Sequence, residues 1–290
     1  MYNQIIFYNQ FGAGDIFESR EFVKAWIKLV PSEHYMYAHG KHPSILKDIK
    51  ELEFKEFTEH MVSMRGVWDD NNGNLYVNTW IGRDGQYVLP GIGCTVEKLY
   101  KMHNDMLSVY GFGSLPGIPY DYIPTINYSL FNIKEVDRFM GKHAEQKILF
   151  DNGLVQSNQA FNFNFDSIIY EIADTHKDIC FITSKPLPIP LDNVFSIGSI
   201  AKSDGFGFDL NEFSYASTFC DILIGRNSGP HVHTQVKQNC DNPNKKLLSF
   251  TYEQQGSSFV VNTNVQIKKY WSNAVDDTGV INKIKEVING

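Results

Sequence analysis

The sequence has few cysteines, and their spacing excludes the usual zinc sites. Cys94, Cys180, Cys220 and Cys240 are the only four in 290 residues. No two of them form a Cys-x-x-Cys pair, which structural zinc sites commonly use. Cys180 and Cys220 lie in apolar, strand-like runs, where small buried thiols are common. We therefore expect reduced, structural cysteines and a cytoplasmic protein.

Long apolar runs are also missing. No window approaches the ~18–20 apolar residues that a membrane-spanning helix needs. The N-terminal stretch MYNQIIFYNQFGAGD lacks the basic segment followed by an apolar segment that marks a signal peptide. The sequence predicts neither a membrane span nor a signal peptide.

Positive charge is scarce. The chain has 26 basic and 33 acidic side chains, a net charge of −7, and only five arginines. A protein that binds nucleic acid through its phosphates normally presents a basic face. Nucleic acid is therefore not expected as a partner. An anionic substrate would have to be held by local groups, such as backbone amides or single cations.

Strand-like and helix-like segments alternate along the chain, and the series starts twice. A short apolar strand at Ile5–Asn9 runs into glycines, and a helix follows until Pro31. A second series begins with a strand at Lys147–Phe150. Such alternation is typical of parallel sheets with right-handed crossovers. We predict an α/β protein with two Rossmann-like domains, residues 1–143 and 144–290, that face a central cleft. Further strands are expected at 35–38, 75–81, 179–183, 194–197, 222–224 and 247–250, and further helices at 44–50, 95–110, 133–141, 165–174, 210–218, 231–237 and 279–288.

The turn after the first strand contains Gly12, Gly14 and Asp15. Glycine suits a place where the chain turns sharply and a ligand comes close to the backbone. A dinucleotide fingerprint would need a third glycine where this chain has Phe17, so NAD is disfavoured. Asp15 is either a partner for the helix N-terminus or a carboxylate that accepts a proton from a substrate hydroxyl. In the second case the helix start is expected to lower the pKa of Asp15 and keep the carboxylate ionised.

A polar turn follows the strand at 222–224, and a helix with proline in its first turn begins after it. Backbone N–H groups at such a helix start can hold a phosphate. Serine and arginine side chains could add hydrogen bonds, although a capped helix without a ligand stays open as the alternative. The two histidines are two residues apart, so on a helix they point in different directions and predict no metal site. The candidate donor-binding residues of this segment are Arg226, Asn227, Ser228, Gly229, Pro230, His231 and His233.

Two weaker candidates lie at other strand ends of the second domain. Asn152 follows the strand at 147–150, where the backbone would approach a donor. Lys185 follows the strand at 179–183 and could bind a phosphate, or could be an ordinary solvated lysine. The adjacent pair Asp69-Asp70 lies in a run of Asp, Asn and Gly, and we interpret it as a solvated turn.

At two places the sequence resembles the ADP-heptose lipopolysaccharide heptosyltransferases and related GT-B glycosyltransferases. Members of that group carry a Gly-Asp pair after the first strand, here Gly14-Asp15. They also carry an (N/D)SGPxH element in the second domain, here Asn227-Ser228-Gly229-Pro230. The family histidine falls two residues after the proline, where this chain has Val232.

The resemblance implies an inverting glycosyltransferase that needs no metal. Asp15 would be the general base on the acceptor hydroxyl, and the helix after Ser228 would stabilise the departing nucleoside diphosphate. An Asp-x-Asp triplet occurs nowhere in the sequence, in agreement with this reading. The expected partners are a nucleotide-sugar donor as substrate, with no further cofactor, and a glycan or glycolipid acceptor, with peripheral membrane association left open. The product would be a surface polysaccharide or lipopolysaccharide. A nucleotide-sugar hydrolase or epimerase, and a non-catalytic nucleotide- or carbohydrate-binding protein, remain alternatives because one fold supports many functions.

Overall fold

The structure is a computed structural model. It describes residues 1–9, 12–40, 43–63, 67–79, 123–156, 160–202, 210–252 and 265–290. The chain forms two compact units, Met1–Asn127 and Tyr128–Gly290. Each unit contains a mostly or fully parallel sheet whose strands alternate with helices. The predicted α/β class with two Rossmann-like domains is therefore confirmed.

The first domain is built on a five-stranded sheet with the order β3-β2-β1-β5-β4. All neighbours are parallel except β4, which runs antiparallel to β5. Its strands are β1 (Tyr2–Tyr8), β2 (Ser32–Ala38), β3 (Leu52–Lys55), β4 (Val67–Asp69) and β5 (Asn74–Asn78). Its helices are α1 (Ala13–Leu29), α2 (Glu59–Ser63) and a 3-10 turn at Pro43–Leu46.

Helix α1 packs on the sheet through large apolar side chains at helical spacing. Phe17, Phe22 and Trp26 are buried, and the Trp26 ring meets Phe7 of β1 edge to face with 6.4 Å between ring centroids. The helix ends two residues before Pro31, because proline disfavours helical backbone in the residue before it. This packing fixes the start of α1 beside the carboxyl end of β1.

A buried ion pair holds the other side of α1. Arg20 is fully buried, forms an ion pair with Asp48 and donates to the carbonyl of Ile45 at 2.6 Å. The second oxygen of Asp48 accepts from the backbone N–H of Asn127 at 2.9 Å. One of the five arginines is thus used to join α1 to its neighbouring segments.

The turn between β4 and β5 confirms the interpretation of Asp69-Asp70. Asp70 Oδ1 accepts from the backbone N–H groups of Asn72 at 2.8 Å and Asn74 at 3.1 Å. Gly73 has a positive φ of 85°, a backbone conformation that glycine adopts without strain. The two carboxylates shape a hairpin turn. Strand β4 was not predicted, because three residues carry too little periodicity.

The second domain is built on six parallel strands with the order β11-β10-β9-β6-β7-β8. The strands are β6 (Lys147–Asp151), β7 (Cys180–Thr183), β8 (Val194–Ser196), β9 (Ile222–Arg226), β10 (Lys246–Phe250) and β11 (Lys268–Ser272). The strand order reverses between β6 and β9. In open α/β sheets such a switch point is where ligands bind, outside the carboxyl ends of the strands.

Helices surround this second sheet. They are α3 (Lys134–Met140), α4 (Phe165–Thr175), α5 (Ile197–Ala201), α6 (Leu210–Ser217), α7 (Gly229–His233), α8 (Lys237–Cys240) and α9 (Asp277–Asn289), with a 3-10 turn at Tyr128–Leu130. Apolar residues of β6, β9 and β10 form one core with α4 and α9. None of the helices in the described residues has the length and apolar character to span a bilayer.

The second compact unit begins before residue 144, the start that the sequence predicted for this domain. Helix α3 packs against α5 and α6, and Tyr215 of α6 donates to Asp137 of α3 at 2.6 Å. Tyr128 and Ser214 are joined by a further hydrogen bond of 2.8 Å. These contacts between distant residues place the segment with the second unit, and strand periodicity contains no sign of them.

Other differences from the predicted elements are local. The helix expected at 231–237 is two short helices, α7 and α8, because Val236 between them is extended. The segment at 44–50 is only a single 3-10 turn, and β3, β11, α2 and α5 were not predicted. The helix predicted at 95–110, Cys94 and the last two residues of the strand predicted at 75–81 lie outside the described residues.

Candidate functional site

Asp15 lies in the first turn of α1, at the carboxyl edge of the first sheet. Gly12 is the N-cap residue, with extended backbone and no side chain to cap the helix. A Cβ on Gly12 would come within 3.0 Å of Asp15 Oδ2, so the carboxylate folds back over the helix start. Gly12 makes room for this approach. Gly14, predicted to belong to the turn, is instead the second residue of the helix.

Burial controls the pKa of Asp15. Loss of solvent raises it to about 6, although the backbone N–H groups of Gly12 and Asp15 bond to the carboxylate and act in the opposite direction. The sequence predicted a lowered pKa, and that direction is wrong. The desolvation of the charged form outweighs the favourable helix start. With a pKa of about 6, the carboxylate is mostly ionised at pH 7, which suits a general base.

Two further ionisable groups surround Asp15, and the sequence analysis missed both. Glu18 follows three residues later on α1, and burial together with the charge of Asp15 raises its pKa well above the ordinary value. Tyr37 of β2 is fully buried, and burial together with Asp15 raises its pKa as well. The i,i+3 spacing of Asp15 and Glu18 is a signal that could have been used. Tyr37 gives no such signal. At this part of the sheet edge the protonated forms of Asp15, Glu18 and Tyr37 are therefore favoured over their ionised forms.

At the carboxyl edge of the second sheet, Asp151 joins three strand ends. It closes β6, is fully buried and accepts hydrogen bonds from Ser184 Oγ at 2.8 Å, Gly153 N at 3.2 Å and Ser228 Oγ at 2.5 Å. Burial raises its pKa, and these hydrogen bonds oppose the rise. The sequence analysis treated Asp151 only as the end of a strand. Its partners, apart from Gly153, are 33 and 77 residues away.

Ser228 has a different role from the one predicted. Its backbone is extended and precedes α7, but its hydroxyl does not cap the helix. That hydroxyl donates to Asp151 and therefore presents lone pairs, and no proton, to a ligand. A ligand hydroxyl is a better partner for it than a phosphate oxygen. The phosphate-binding capacity of this turn rests on backbone N–H groups, and Pro230 contributes none.

The turn around Ser228 is formed by Asn227, Gly229 and Pro230, all half-buried. The backbone N–H of Asn227 donates to the carbonyl of Phe250 at 2.9 Å, which ties the turn to β10. With only five residues, α7 offers local amides and little macrodipole. The predicted contacts of these three residues with a donor stay predictions.

Arg226 is a structural residue. It is fully buried and donates to the carbonyls of Phe161 (3.0 Å), Gly153 (2.6 Å) and Phe163. Its guanidinium also lies 4.5 Å and 4.6 Å from the ring centroids of Phe163 and Phe165. Burial lowers its pKa to about 10, so it stays charged. This placement argues against the phosphate contact predicted from the sequence.

The two histidines after Pro230 are also packed inside the domain. His231 is fully buried and bonds through Nε2 to Ser249 Oγ at 2.8 Å. Burial lowers its pKa to about 3, so it is neutral. A Cβ on Gly225 would come within 2.6 Å of its ring, which explains the glycine at that position. His233 is fully buried too, with Nδ1 2.7 Å from the Gly229 carbonyl. These placements argue against cationic donor contacts by either histidine.

Asn152 and Lys185, the two weaker candidates, are brought together because they follow the neighbouring strands β6 and β7. Asn152 Oδ1 accepts from Lys185 N at 2.9 Å, and Asn152 Nδ2 donates to Asp166 at 2.8 Å. The side-chain amide of Asn152 therefore joins the end of β6 to the segment after β7 and to the start of α4. The Lys185 side chain is exposed, with Cε 3.7 Å from the Cβ position of Gly153. No hydrogen bond or ion pair of its ammonium group occurs within the described residues.

One group of side chains has the composition of a metal site. Ligand atoms of His143, Glu145 and Cys180 lie within 4.8 Å of one another. The group lies at the amino ends of β6 and β7, the opposite edge from Asp151. His143 and Glu145 contact each other at 2.5 Å, and burial raises the pKa of the Cys180 thiol to about 12. The group does not contribute to the candidate donor site.

No protein-family model and no curated protein sequence matches this chain. Solved structures do match its fold. E. coli ADP-heptose lps heptosyltransferase II is 8% identical with a TM-score of 0.55, covering 99% of this chain and 98% of that one. A glycosyl transferase family 9 protein from Veillonella parvula DSM 2008 is 12% identical (TM-score 0.52; 98% and 90% covered). S. aureus MnaA, solved with UDP, is 11% identical (0.51; 99% and 88%). The predicted likeness to GT-B glycosyltransferases is confirmed at the level of the fold.

Proposed function

We propose that this protein transfers a sugar from a nucleotide-sugar donor to a hydroxyl of a glycan or glycolipid acceptor, with inversion at the anomeric carbon. The observation that carries the proposal is the partly buried Asp15 carboxylate, with a pKa raised to about 6 at the carboxyl edge of the first sheet. A base whose pKa lies near the working pH is efficient at removing a proton. The fold shared with glycosyltransferases supports the reaction class.

In the proposed reaction the acceptor oxygen attacks the anomeric carbon of the donor. Asp15 takes the hydroxyl proton as the new C–O bond forms. The bond between the sugar and the diphosphate breaks, and its electron pair leaves on the nucleoside diphosphate. The charge of Asp15 raises the pKa of both Glu18 and Tyr37, so neither of these neighbours supplies a positive charge that would oppose protonation of Asp15.

Negative charge that develops on the leaving diphosphate needs stabilisation. We assign this task to the ammonium group of Lys185 and to the backbone N–H groups of the turn at Ser228 and Gly229. Metal independence is part of the proposal, supported by the absence of an Asp-x-Asp triplet from the sequence. The assignment differs from the sequence prediction, because Arg226, His231 and His233 are now structural.

The name of E. coli ADP-heptose lps heptosyltransferase II supports a surface glycan as product. The free, buried thiols of Cys180, Cys220 and Cys240 fit a cytoplasmic location. Peripheral membrane association would follow from a glycolipid acceptor. A net charge of −7 supports the absence of nucleic acid from the partners.

Asp15→Asn tests the chemistry. We expect kcat to fall roughly a hundredfold to ten-thousandfold, with binding of the nucleoside diphosphate nearly unchanged. Asp174→Asn is the matched control, since the Asp174 side chain is 76% exposed and pairs only with Lys177 among the described residues. If the Asp15→Asn variant transferred sugar at the wild-type rate, Asp15 would not be the general base. Donor consumption at the full rate without an acceptor would favour a hydrolase.

The donor itself is tested by thermal unfolding with ADP, UDP and GDP. A ligand that binds only the folded protein stabilises it, by about 2.7 kcal/mol at a hundred times its Kd. Lys185→Ala should reduce the shift, and Lys177→Ala, at an exposed lysine of the same domain, should not. If no nucleotide stabilises the protein, the donor proposal fails.

A further inference from the structure

An exposed pair of aromatic side chains stands at the carboxyl edge of the second sheet. Phe161 and Tyr252 are 46% and 41% exposed. Their ring centroids are 4.4 Å apart and the ring planes make an angle of 74°. Leu154, 65% exposed, follows Gly153 at the same edge. Large apolar side chains grouped on a surface commonly mark a binding site.

The register of the sheet places this pair beside the turn at Ser228. Phe250 of β10 is the register partner of Arg226 of β9. Tyr252 and Ser228 each follow two residues later, so they leave adjacent strands at the same level. The Phe161 carbonyl accepts from Arg226 Nε at 3.0 Å. Both rings are therefore attached to the strand end that opens into the proposed diphosphate turn.

Arg226 fixes the position of the pair. Its guanidinium is buried and bonds to the carbonyls of Phe161, Gly153 and Phe163. A loop tied by three charge-assisted hydrogen bonds is already in place before a ligand arrives. Binding to such a surface loses less conformational freedom than binding to a loop that must first be ordered. The arginine that the sequence suggested as a phosphate ligand thus supports a binding surface.

We propose that the rings of Phe161 and Tyr252 form the surface on which the sugar ring of the donor packs; the inference rests on the proposed function. Along the edge, Lys185 follows β7, Gly153 follows β6, Ser228 follows β9 and Tyr252 follows β10. A diphosphate held by Lys185 and the Ser228 turn would lie over Gly153, whose strand stands between theirs, and it leaves the aromatic pair beyond Ser228 at one end of the donor.

The sugar suits this surface better than the nucleobase does. The two rings meet edge to face and keep a large part of their surface open. A nucleobase gains affinity when it is enclosed, whereas the transferred sugar must stay open to its acceptor. The C–H groups on one face of a pyranose are apolar and can pack on an aromatic ring. Its hydroxyls can donate to Ser228 Oγ, whose own proton is directed at Asp151.

Calorimetric titration of the full chain tests the inference. ADP, UDP and GDP, each alone and as its hexose ester, would be titrated into wild type, Phe161→Ala, Tyr252→Ala and the double variant. We expect the double variant to lose about tenfold in affinity for the nucleotide-sugar that binds wild type. Its affinity for the same nucleotide without the sugar should change less than about twofold. Phe219→Ala is the matched control: Phe219 is 39% exposed and forms an edge-to-face pair with Tyr215 in the same domain, before β9.

The titration distinguishes packing of the sugar on the rings from packing of the base, from no contact with the donor, and from the absence of a donor site. Equal losses for nucleotide and nucleotide-sugar would place the base on the rings and overturn the inference. Unchanged affinity for both would show that the rings do not contact the donor. Failure of wild type to bind any nucleotide or nucleotide-sugar would contradict the proposed function itself, and the inference with it. Because both side chains are exposed, the variants should fold, and urea unfolding would verify this.

Discussion

Replacing Asp15 by asparagine should stabilise the folded protein at neutral pH. Burial raises the pKa of Asp15 from 3.8 to about 6, so the folded state holds its proton to higher pH than the unfolded chain does. The stability that this protonation contributes is complete below about pH 4 and is lost as the pH rises to about 6. A pKa difference of this size corresponds to about 3 kcal/mol in the free energy of unfolding. Asp15 keeps some solvent contact, so we expect about 1–2 kcal/mol.

Asparagine has nearly the same shape, carries no charge and still accepts hydrogen bonds at a helix start. Urea unfolding of Asp15→Asn and wild type at several pH values would measure the difference. The gain should be present at pH 7–8 and vanish below about pH 4, and Asp174→Asn should show no such trend. If Asp15 mainly served the helix start, the variant would instead lose about 0.5–1 kcal/mol at pH 7. Such a loss of stability would show that burial is not the dominant effect on the charge of Asp15.

Three further predictions concern residues at the carboxyl edges of the two sheets. Arg226→Met should cost about 3–5 kcal/mol in urea unfolding, because three carbonyls lose their donor. Arg138→Met, at a 61% exposed side chain, should cost under about 1 kcal/mol; equal costs would refute the structural role. Gly225→Ala should cost about 1–3 kcal/mol by crowding His231, and His231→Ala should relieve part of that cost; strict additivity would contradict the packing. The kcat/KM of the proposed transfer reaction should fall on the acid side with a midpoint near pH 6, as Asp15 becomes protonated; a flat profile through that range would contradict its role as base.

The predicted site separates into parts that sequence could and could not assign. Asn152 and Lys185 follow strands that the sequence located, but their contact depends on the order of those strands in the sheet, which the sequence analysis did not predict. Asp15 does open α1 beside the end of β1, because the glycine break marks that turn. By contrast, Arg226, His231 and His233 had the residue types of a phosphate site, and the fold uses them inside the domain.

The sequence alone determined the class of fold. The periods of apolar residues, two for strands and 3.6 for helices, are local properties, and alternation of the two predicts parallel sheets with crossovers. Tertiary structure alone decided the pKa of Asp15, the partner of Ser228 and the burial of Arg226. Each of these depends on how much water and which distant groups surround a side chain. Asp151, for example, receives two of its hydrogen bonds from residues on other strand ends, and no local pattern encodes those neighbours.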